Sequence, residues 1–147
     1  MEISIGELAR RTDVKAPTIR YYESVGLMPS PARTDGQQRR YGEAEVSRLA
    51  FIRHARDLGF EIGAIRELLT LSSQPDQSCA QADSIARRHM SEVDRRIGQL
   101  TALRSELQRM VDACGHGRLG DCRVIETLAD HNRCQHAHHT ARSHEQL

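Results

Sequence analysis

Apolar positions in the first part of the chain repeat at helical intervals, in two short runs that a polar turn separates. The apolar residues of the first run, ISIGELARRTD, are Ile3, Ile5 and Leu8. Ser4 is placed to cap this helix, with Glu7 three residues later. The second run, VKAPTIRYYESVGL, has Pro17 in its first turn and Gly26 at its end. This pattern predicts a helix-turn-helix, whose second helix enters the major groove of DNA.

A stretch rich in helix-breaking residues follows, MPSPARTDGQQRRYG over residues 28–42, which we call the wing. Its two prolines interrupt any helix, and the Asp35-Gly36 pair favours a hairpin turn. The arginines on either side of that turn are Arg33, Arg39 and Arg40. The wing is therefore predicted to be a small ribbon beside the second helix.

Two further amphipathic helices are predicted after the wing, over residues 43–57 and 58–71. The residues expected to face inward are Val46, Leu49 and Ile52 in the first helix and Ile62, Ile65, Leu68 and Leu69 in the second. Residues 72–79, SSQPDQSC, are polar and contain a proline, which predicts a linker.

A much longer helical pattern occupies residues 80–113, with no proline and with Gly98 as its one glycine. Its apolar residues fall at steps of three and four: Met90, Val93, Ile97, Leu100, Leu107 and Val111. This spacing predicts a coiled-coil seam, and one helix cannot bury so narrow a stripe alone. Because the chain has no second long helix, the simplest partner is another copy.

Charge and composition narrow the classes of function. The net charge is +1, and of 21 basic residues only Lys15 is a lysine. Arginine suits bidentate contacts with phosphate and guanine, although a GC-rich genome explains the same bias. No apolar run is long enough to cross a membrane and the N-terminus lacks the features of a signal peptide, so we expect a cytoplasmic protein. The sequence has no nucleophile–base arrangement or phosphate-binding loop, so we do not expect an enzyme.

The segments TIRYYESVGL, PAR, RRY and LAFIRHARDLGF, within residues 3–71, resemble the DNA-binding domain of the MerR family of bacterial transcription regulators. The long helix and the cysteine-bearing loop after it are also similar to that family. The pattern of Cys79, Cys114 and Cys122 looks most like its zinc-, cadmium- and lead-responsive branch. The resemblance implies a homodimer that binds double-stranded promoter DNA and, on binding metal, distorts the DNA so that RNA polymerase aligns with the promoter. The regulated genes implied are those of metal efflux or resistance.

The resemblance also implies which residues contact DNA. These are Arg20 and Tyr22 of the TIRYYE motif, Arg33 and Arg39 of the wing, and, for phosphate, Arg56. A few side chains of the second helix read base edges, and the candidates are Lys15, Pro17 and Thr18. We expect the other two tyrosines, Tyr21 and Tyr41, to pack in the core.

The stretch CGHGRLGDC, Cys114 to Cys122, is a candidate metal-binding loop, because cytosolic cysteine clusters more often indicate metal or redox chemistry than structural disulfides. Its glycines permit a tight turn, and its two thiols alone suit a two-coordinate monovalent ion. Cys79 supplies a third thiol, but roughly 50 Å of helix separates it from Cys114 in one chain. An antiparallel homodimer removes that separation, since Cys79 of one subunit then meets Cys114 and Cys122 of the other. Such a site suits Zn(II), Cd(II), Pb(II) or Hg(II), with His116 as a possible fourth zinc ligand.

The polar C-terminal segment carries a second, looser cluster of metal-binding residue types. Its members are Cys134, His131, His136, His138, His139 and His144. Imidazoles at short spacing bind zinc or cadmium, which makes this segment a candidate auxiliary site or an adventitious one.

The sequence as a whole predicts a mainly α protein. A winged helix-turn-helix DNA-binding domain covers residues 1–71, a linker 72–79, and a long antiparallel coiled-coil dimerisation helix 80–113. The metal-binding loop and a short helix cover 114–130, and a His-rich tail covers 131–147. The function favoured is a divalent-metal-responsive transcriptional activator. The alternatives are a Hg(II)- or Cu(I)-responsive regulator of the same family, a thiol redox sensor that uses Cys114 and Cys122, and metal sequestration by the tail.

Overall fold

The computed structural model describes residues 2–33, 36 and 39–130. Its helices are α1 (Ile5–Thr12), α2 (Ala16–Ser24), α3 (Glu43–Asp57), α4 (Ile62–Ser72), α5 (Ala80–Asp112) and α6 (Arg123–Ala129). Two short strands, β1 (Ala32–Arg33) and β2 (Arg39–Arg40), lie between α2 and α3. The chain divides after Ala86 into two compact units. The predicted mainly α fold is confirmed.

The first two helices begin and end where local chemistry directs. The Ser4 hydroxyl caps α1 by accepting a hydrogen bond from the Glu7 N–H at 3.2 Å. The helix ends at Asp13, whose φ of 55° is left-handed, a conformation that Asp tolerates better than most residues. After α2, Gly26 takes a φ of 76° and turns the chain away, as its position in the sequence predicts.

The wing is a two-residue antiparallel ribbon, in which Ala32 lies opposite Arg40 and Arg33 opposite Arg39. Tyr41 continues β2 and pairs with Ile3 through backbone hydrogen bonds of 2.8 and 2.9 Å. The Tyr41 hydroxyl donates a hydrogen bond to Glu23 of α2 at 2.8 Å. The end of the wing is therefore attached to α2 and to the segment that leads into α1.

Helix α4 begins four residues later than the predicted start at residue 58. Gly59 adopts a φ of 87°, and residues 58–61 connect α3 to α4. Helix α3 packs on α1, and α4 packs on α3. The buried residues of this core are Leu8, Val14, Ile19, Tyr22, Leu27, Met28, Tyr41, Leu49, Ile52, Ala55, Ile65 and Leu69.

Helix α5 runs without interruption for 33 residues. The apolar residues of its predicted seam are all at least 39% exposed in the single chain: Met90, Val93, Ile97, Leu100, Leu107 and Val111. A loop with one 3₁₀ turn, Leu119–Asp121, connects α5 to α6. Among the described helices, none combines the length and the apolar character needed to cross a membrane.

Candidate nucleic-acid interface and candidate metal centre

Helix α2 presents a continuous exposed stripe. Because an α-helix repeats every 3.6 residues, side chains three and four positions apart share a face. The exposed residues of α2 fall at this spacing: Pro17, Arg20, Tyr21 and Ser24. Lys15, also exposed, precedes the helix as its N-cap, and Thr18 is half-buried. The predicted base-reading residues thus lie on or beside one accessible face of α2.

The two adjacent tyrosines of α2 have opposite environments. Tyr22 is 7% exposed and packs in the core, whereas Tyr21 is 53% exposed. The expectation that Tyr21 packs in the core is therefore wrong, while the expectation for Tyr41, which is 1% exposed, is confirmed. A DNA contact by Tyr22 stays a prediction, and Tyr21 is a surface residue beside Arg20 that the sequence reasoning missed. The sequence did contain a signal that Tyr21 is exposed: Ile19 and Tyr22 are three residues apart, so they share the side of α2 that faces the core.

The remaining predicted DNA contacts lie in the wing and at the end of α3. Arg33 and Arg39 are opposed across the two strands. The exposed Arg56 donates a hydrogen bond to the Phe60 carbonyl at 2.9 Å. A guanidinium carries five N–H donors, so this bond leaves others to meet a phosphate. These three contacts stay predictions.

The loop after α5 brings two thiols together. Cys114 follows the last turn of α5, Cys122 is the N-cap of α6, and both are half-buried. The backbone N–H groups of Ile125 and Val124 at the start of α6 lower the pKa of the Cys122 thiol, and the neighbouring Cys114 thiol adds a smaller effect in the same direction. Partial burial opposes this shift. The arrangement favours a thiolate at Cys122.

His116 lies between these cysteines and is exposed. It is the residue of the loop that takes a left-handed conformation, with a φ of 56°. The expectation that the glycines of CGHGRLGDC supply the tight turn therefore needs adjustment, because none of the three has a positive φ.

Within the described part of the chain, no three His, Cys, Asp or Glu side chains gather as a metal site would require. Cys79 is exposed and directly precedes α5. The predicted auxiliary ligands, Cys134, His131, His136, His138, His139 and His144, lie outside the described residues. The loop offers two sulfur ligands, and the lowered pKa of Cys122 favours its thiolate form. These ligands fit a soft metal ion that binds a further ligand from outside the loop.

Comparisons with known proteins agree with these features. The family model described as MerR HTH family regulatory protein matches residues 3–71, and the model described as MerR, DNA binding matches residues 46–110. The chain is 41% identical to the HTH-type transcriptional regulator ZntR of Escherichia coli, over 84% of this chain and 90% of that protein. It is 38% identical to the regulator HmrR of Rhizobium leguminosarum bv. viciae, over 87% and 98% of the two chains.

A solved structure has the same architecture. The transcription regulator PbrR691 from Ralstonia metallidurans CH34, in complex with lead(II), superimposes with a TM-score of 0.74 at 34% identity, over 86% of this chain and 98% of that one. These relatives are transcription regulators and not enzymes. With a helix-turn-helix, a wing and a long helix in the expected order, this chain belongs to the MerR family of helix-turn-helix transcription regulators.

Proposed function

We propose that this chain is a cytoplasmic, metal-responsive transcriptional activator that binds double-stranded promoter DNA as a homodimer. Its effector is Zn(II), Cd(II) or Pb(II), and the genes that it activates confer resistance to that metal or export it. The observation that carries the proposal is the placement of two half-buried free cysteines, Cys114 and Cys122, in the loop that follows α5, close enough that Cys114 lowers the pKa of Cys122.

The exposed apolar seam of α5 supports the dimer. Six large apolar side chains lie along one unbroken helix and are exposed in the single chain. A helix of 33 residues is about 50 Å long. A second copy of α5 covers the seam over that length and removes its apolar side chains from water. Antiparallel pairing places the start of one α5 beside the end of the other.

The same pairing completes the metal site. In one chain the loop offers two thiols, and Cys79 stands at the opposite end of α5. In the dimer, Cys79 of one subunit joins Cys114 and Cys122 of the other, which gives two equivalent sites. A bound ion links the two subunits at each site, because its ligands come from both chains.

The ligand chemistry favours a divalent ion. Three thiolates suit Cd(II), Pb(II) and Hg(II), and His116 as a fourth ligand favours Zn(II). The relative solved with lead(II) supports a heavy-metal effector for this chain. Cu(I) needs only two thiolates and leaves Cys79 without a role. Cys134 and the tail histidines 131, 136, 138, 139 and 144 are proposed as an auxiliary site.

At the promoter, α2 lies in the major groove with Lys15, Pro17 and Thr18 toward the base edges. Arg20 and Tyr22 join them from α2, while Arg33, Arg39 and Arg56 hold the backbone of the DNA. Closure of the metal loop against the partner's α5 favours one of two dimer conformations. Distorting DNA costs on the order of 1–10 kcal/mol, a range that such a conformational bias reaches. The distorted promoter then allows RNA polymerase to align with both of its elements.

A subunit-mixing experiment tests the shared site. Cys79→Ser and Cys114→Ser each disrupt both sites of a homodimer, so each variant alone loses tight Cd(II) binding, followed by sulfur-to-metal charge-transfer absorption. When the two variants are unfolded together and refolded, the mixed dimer contains one intact site. We therefore expect binding to return in the mixture, at about one site per mixed dimer.

The matched control is Cys134→Ser, a cysteine outside the proposed clamp. It should keep the tight Cd(II) binding of the clamp, and any change should be confined to weaker binding at the auxiliary site. If the mixture stays inactive, or if Cys79→Ser alone binds as wild type, the shared three-thiolate site is wrong. Chelator competition with Zn(II), Cd(II), Pb(II), Hg(II) and Cu(I) then ranks the effectors.

The placement of these two thiols also supports a second candidate, a redox sensor in which Cys114 and Cys122 form a disulfide. Two thiols would lose two protons and two electrons to an oxidant such as a peroxide. This function uses neither Cys79 nor a metal. Promoter activation by peroxide that persists in Cys79→Ser, together with no response to metals, would favour the redox sensor.

A further inference from the structure

The carboxyl ends of α1 and α2 are each held by arginines from the helices packed beneath them. Arg53 of α3 donates hydrogen bonds to the carbonyls of Asp13 and, at 3.3 Å, of Thr12 at the end of α1. Arg48 of α3 donates to the Leu27 carbonyl at 2.8 Å, just beyond α2. Arg66 of α4 donates to the carbonyl of Val25, the C-cap of α2. We call Arg48, Arg53 and Arg66 the arginine brace.

These contacts meet backbone groups that need partners. The carbonyls of Thr12, Asp13 and Val25 are among the last of their helices, which have no N–H within the helix to accept from and carry the negative end of the helix dipole. The Leu27 carbonyl, bound by Arg48, belongs to the turn that follows α2. A guanidinium satisfies both conditions, since it is a permanent cation with several donors in a fixed plane. The brace therefore connects the ends of α1 and α2 to the α3–α4 pair across 21 to 41 residues of sequence.

Arg53 makes the largest set of contacts in the brace. Besides the two carbonyls, it forms ion pairs with the carboxylates of Asp13 at 3.0 Å and Asp57 at 3.2 Å. Asp13 is the left-handed residue at which α1 ends and the turn to α2 begins. One side chain thus binds both the carbonyl and the carboxylate of the residue that sets the direction of α2.

We propose that Arg53, supported by Arg48 and Arg66, is a positioning residue for DNA recognition: it fixes the turn between α1 and α2 and so sets the orientation of the exposed stripe of α2. This inference rests on the proposed function, in which α2 reads the promoter. According to this inference, three arginines orient helix α2 and do not contact phosphate. The readout is distinctive, because a residue that positions the helix changes sequence recognition without changing the number of neutralised phosphates.

The test compares Arg53→Lys and Arg53→Met with wild type in the full-length protein. Affinity is measured for a promoter fragment and for a scrambled duplex at several salt concentrations. Lys keeps the charge but cannot hold two carbonyls and two carboxylates at once. We expect Arg53→Lys to lose about tenfold in promoter affinity, with an unchanged salt slope and unchanged affinity for the scrambled duplex.

Asp13→Asn provides an opposing control. It removes a negative charge and keeps a residue that tolerates the left-handed conformation. A purely electrostatic role predicts tighter DNA binding, whereas the brace predicts weaker promoter binding. If Arg53 instead contacts phosphate, Arg53→Lys binds as wild type and Arg53→Met lowers the salt slope by about one unit. Either of those results overturns the proposal.

Two further measurements separate this inference from other failures. Urea unfolding of Arg53→Lys identifies a variant that merely fails to fold, and a folded Arg53→Lys with wild-type promoter affinity contradicts the brace. Arg20→Ala tests the DNA interface itself. If Arg20→Ala binds the promoter as wild type, the proposed interface fails; if Arg20→Ala loses binding while the Arg53 variants keep it, only the brace fails.

Discussion

The Cys114 thiol lies close enough to Cys122, eight residues further along the chain, to lower the pKa of the Cys122 thiol. The backbone N–H groups of Ile125 and Val124, at the start of α6, lower that pKa more strongly. The loop therefore brings two thiols near each other within a single chain, and these two thiols form one half of the proposed clamp.

The lowered pKa of Cys122 predicts a pH-dependent difference in reactivity. Because a lower pKa gives more thiolate at a given pH, Cys122 in the folded protein should be alkylated by iodoacetamide at lower pH than in urea. Mass spectrometry of the modified peptide, in metal-free and fully reduced protein, measures the two profiles. In Cys114→Ala, which removes the donor, the shift should shrink but persist, since the Ile125 and Val124 amides contribute more to it than Cys114 does. Identical profiles in native and unfolded protein would contradict the proposed loop geometry.

The exposed seam of α5 predicts that a charged substitution within it weakens the dimer. Leu100 is 63% exposed in the single chain, so Leu100→Asp should leave the monomer folded. In the dimer it places unpaired carboxylates in an apolar interface, which costs several kcal/mol and raises the dissociation constant by at least about 100-fold. Sedimentation equilibrium measures the change. Gln99→Asp, one position away from the seam, introduces the same charge and should leave the dimer intact.

The opposite environments of Tyr21 and Tyr22 predict a separation of stability from DNA binding. Tyr22→Ala removes a buried ring and should lower the free energy of unfolding by about 3–5 kcal/mol. Tyr21→Ala alters an exposed side chain, so stability should change by less than about 0.5 kcal/mol while promoter affinity falls. Urea unfolding and fluorescence anisotropy with labelled promoter DNA measure the two quantities. Promoter affinity unchanged in Tyr21→Ala would remove Tyr21 from the interface.

The contact between the wing and α2 predicts a modest effect from one hydroxyl. Tyr41→Phe keeps the buried ring but removes the hydrogen bond to Glu23. Hydrogen bonds to charged groups contribute about 1.5–3 kcal/mol, and the half-buried Glu23 regains some solvation, so a loss of about 1 kcal/mol in unfolding free energy is expected. Tyr21→Phe, which changes an exposed tyrosine in the same way, is the matched control. Equal effects from both substitutions would mean that the Tyr41–Glu23 bond adds nothing.

Much of the secondary structure follows from local sequence. The Ser4 cap, the Gly26 stop, the ribbon of the wing and the uninterrupted α5 depend on periodicity, capping and turn chemistry within a few residues. The same local reasoning failed at the start of α4. The helical pattern predicted a start at Leu58. Gly59 adopts the left-handed conformation instead, and the helix begins at Ile62.

The candidate sites divide in the same way. The sequence by itself determined that cysteines flank a long helix with one apolar seam, and that a helix-turn-helix with a wing precedes it. Only the tertiary structure decided that Arg48, Arg53 and Arg66 hold the ends of α1 and α2. The physical reason is range: capping and periodicity act within a turn or two of helix, whereas a buried face and a carbonyl held from 41 residues away exist only once the helices have packed.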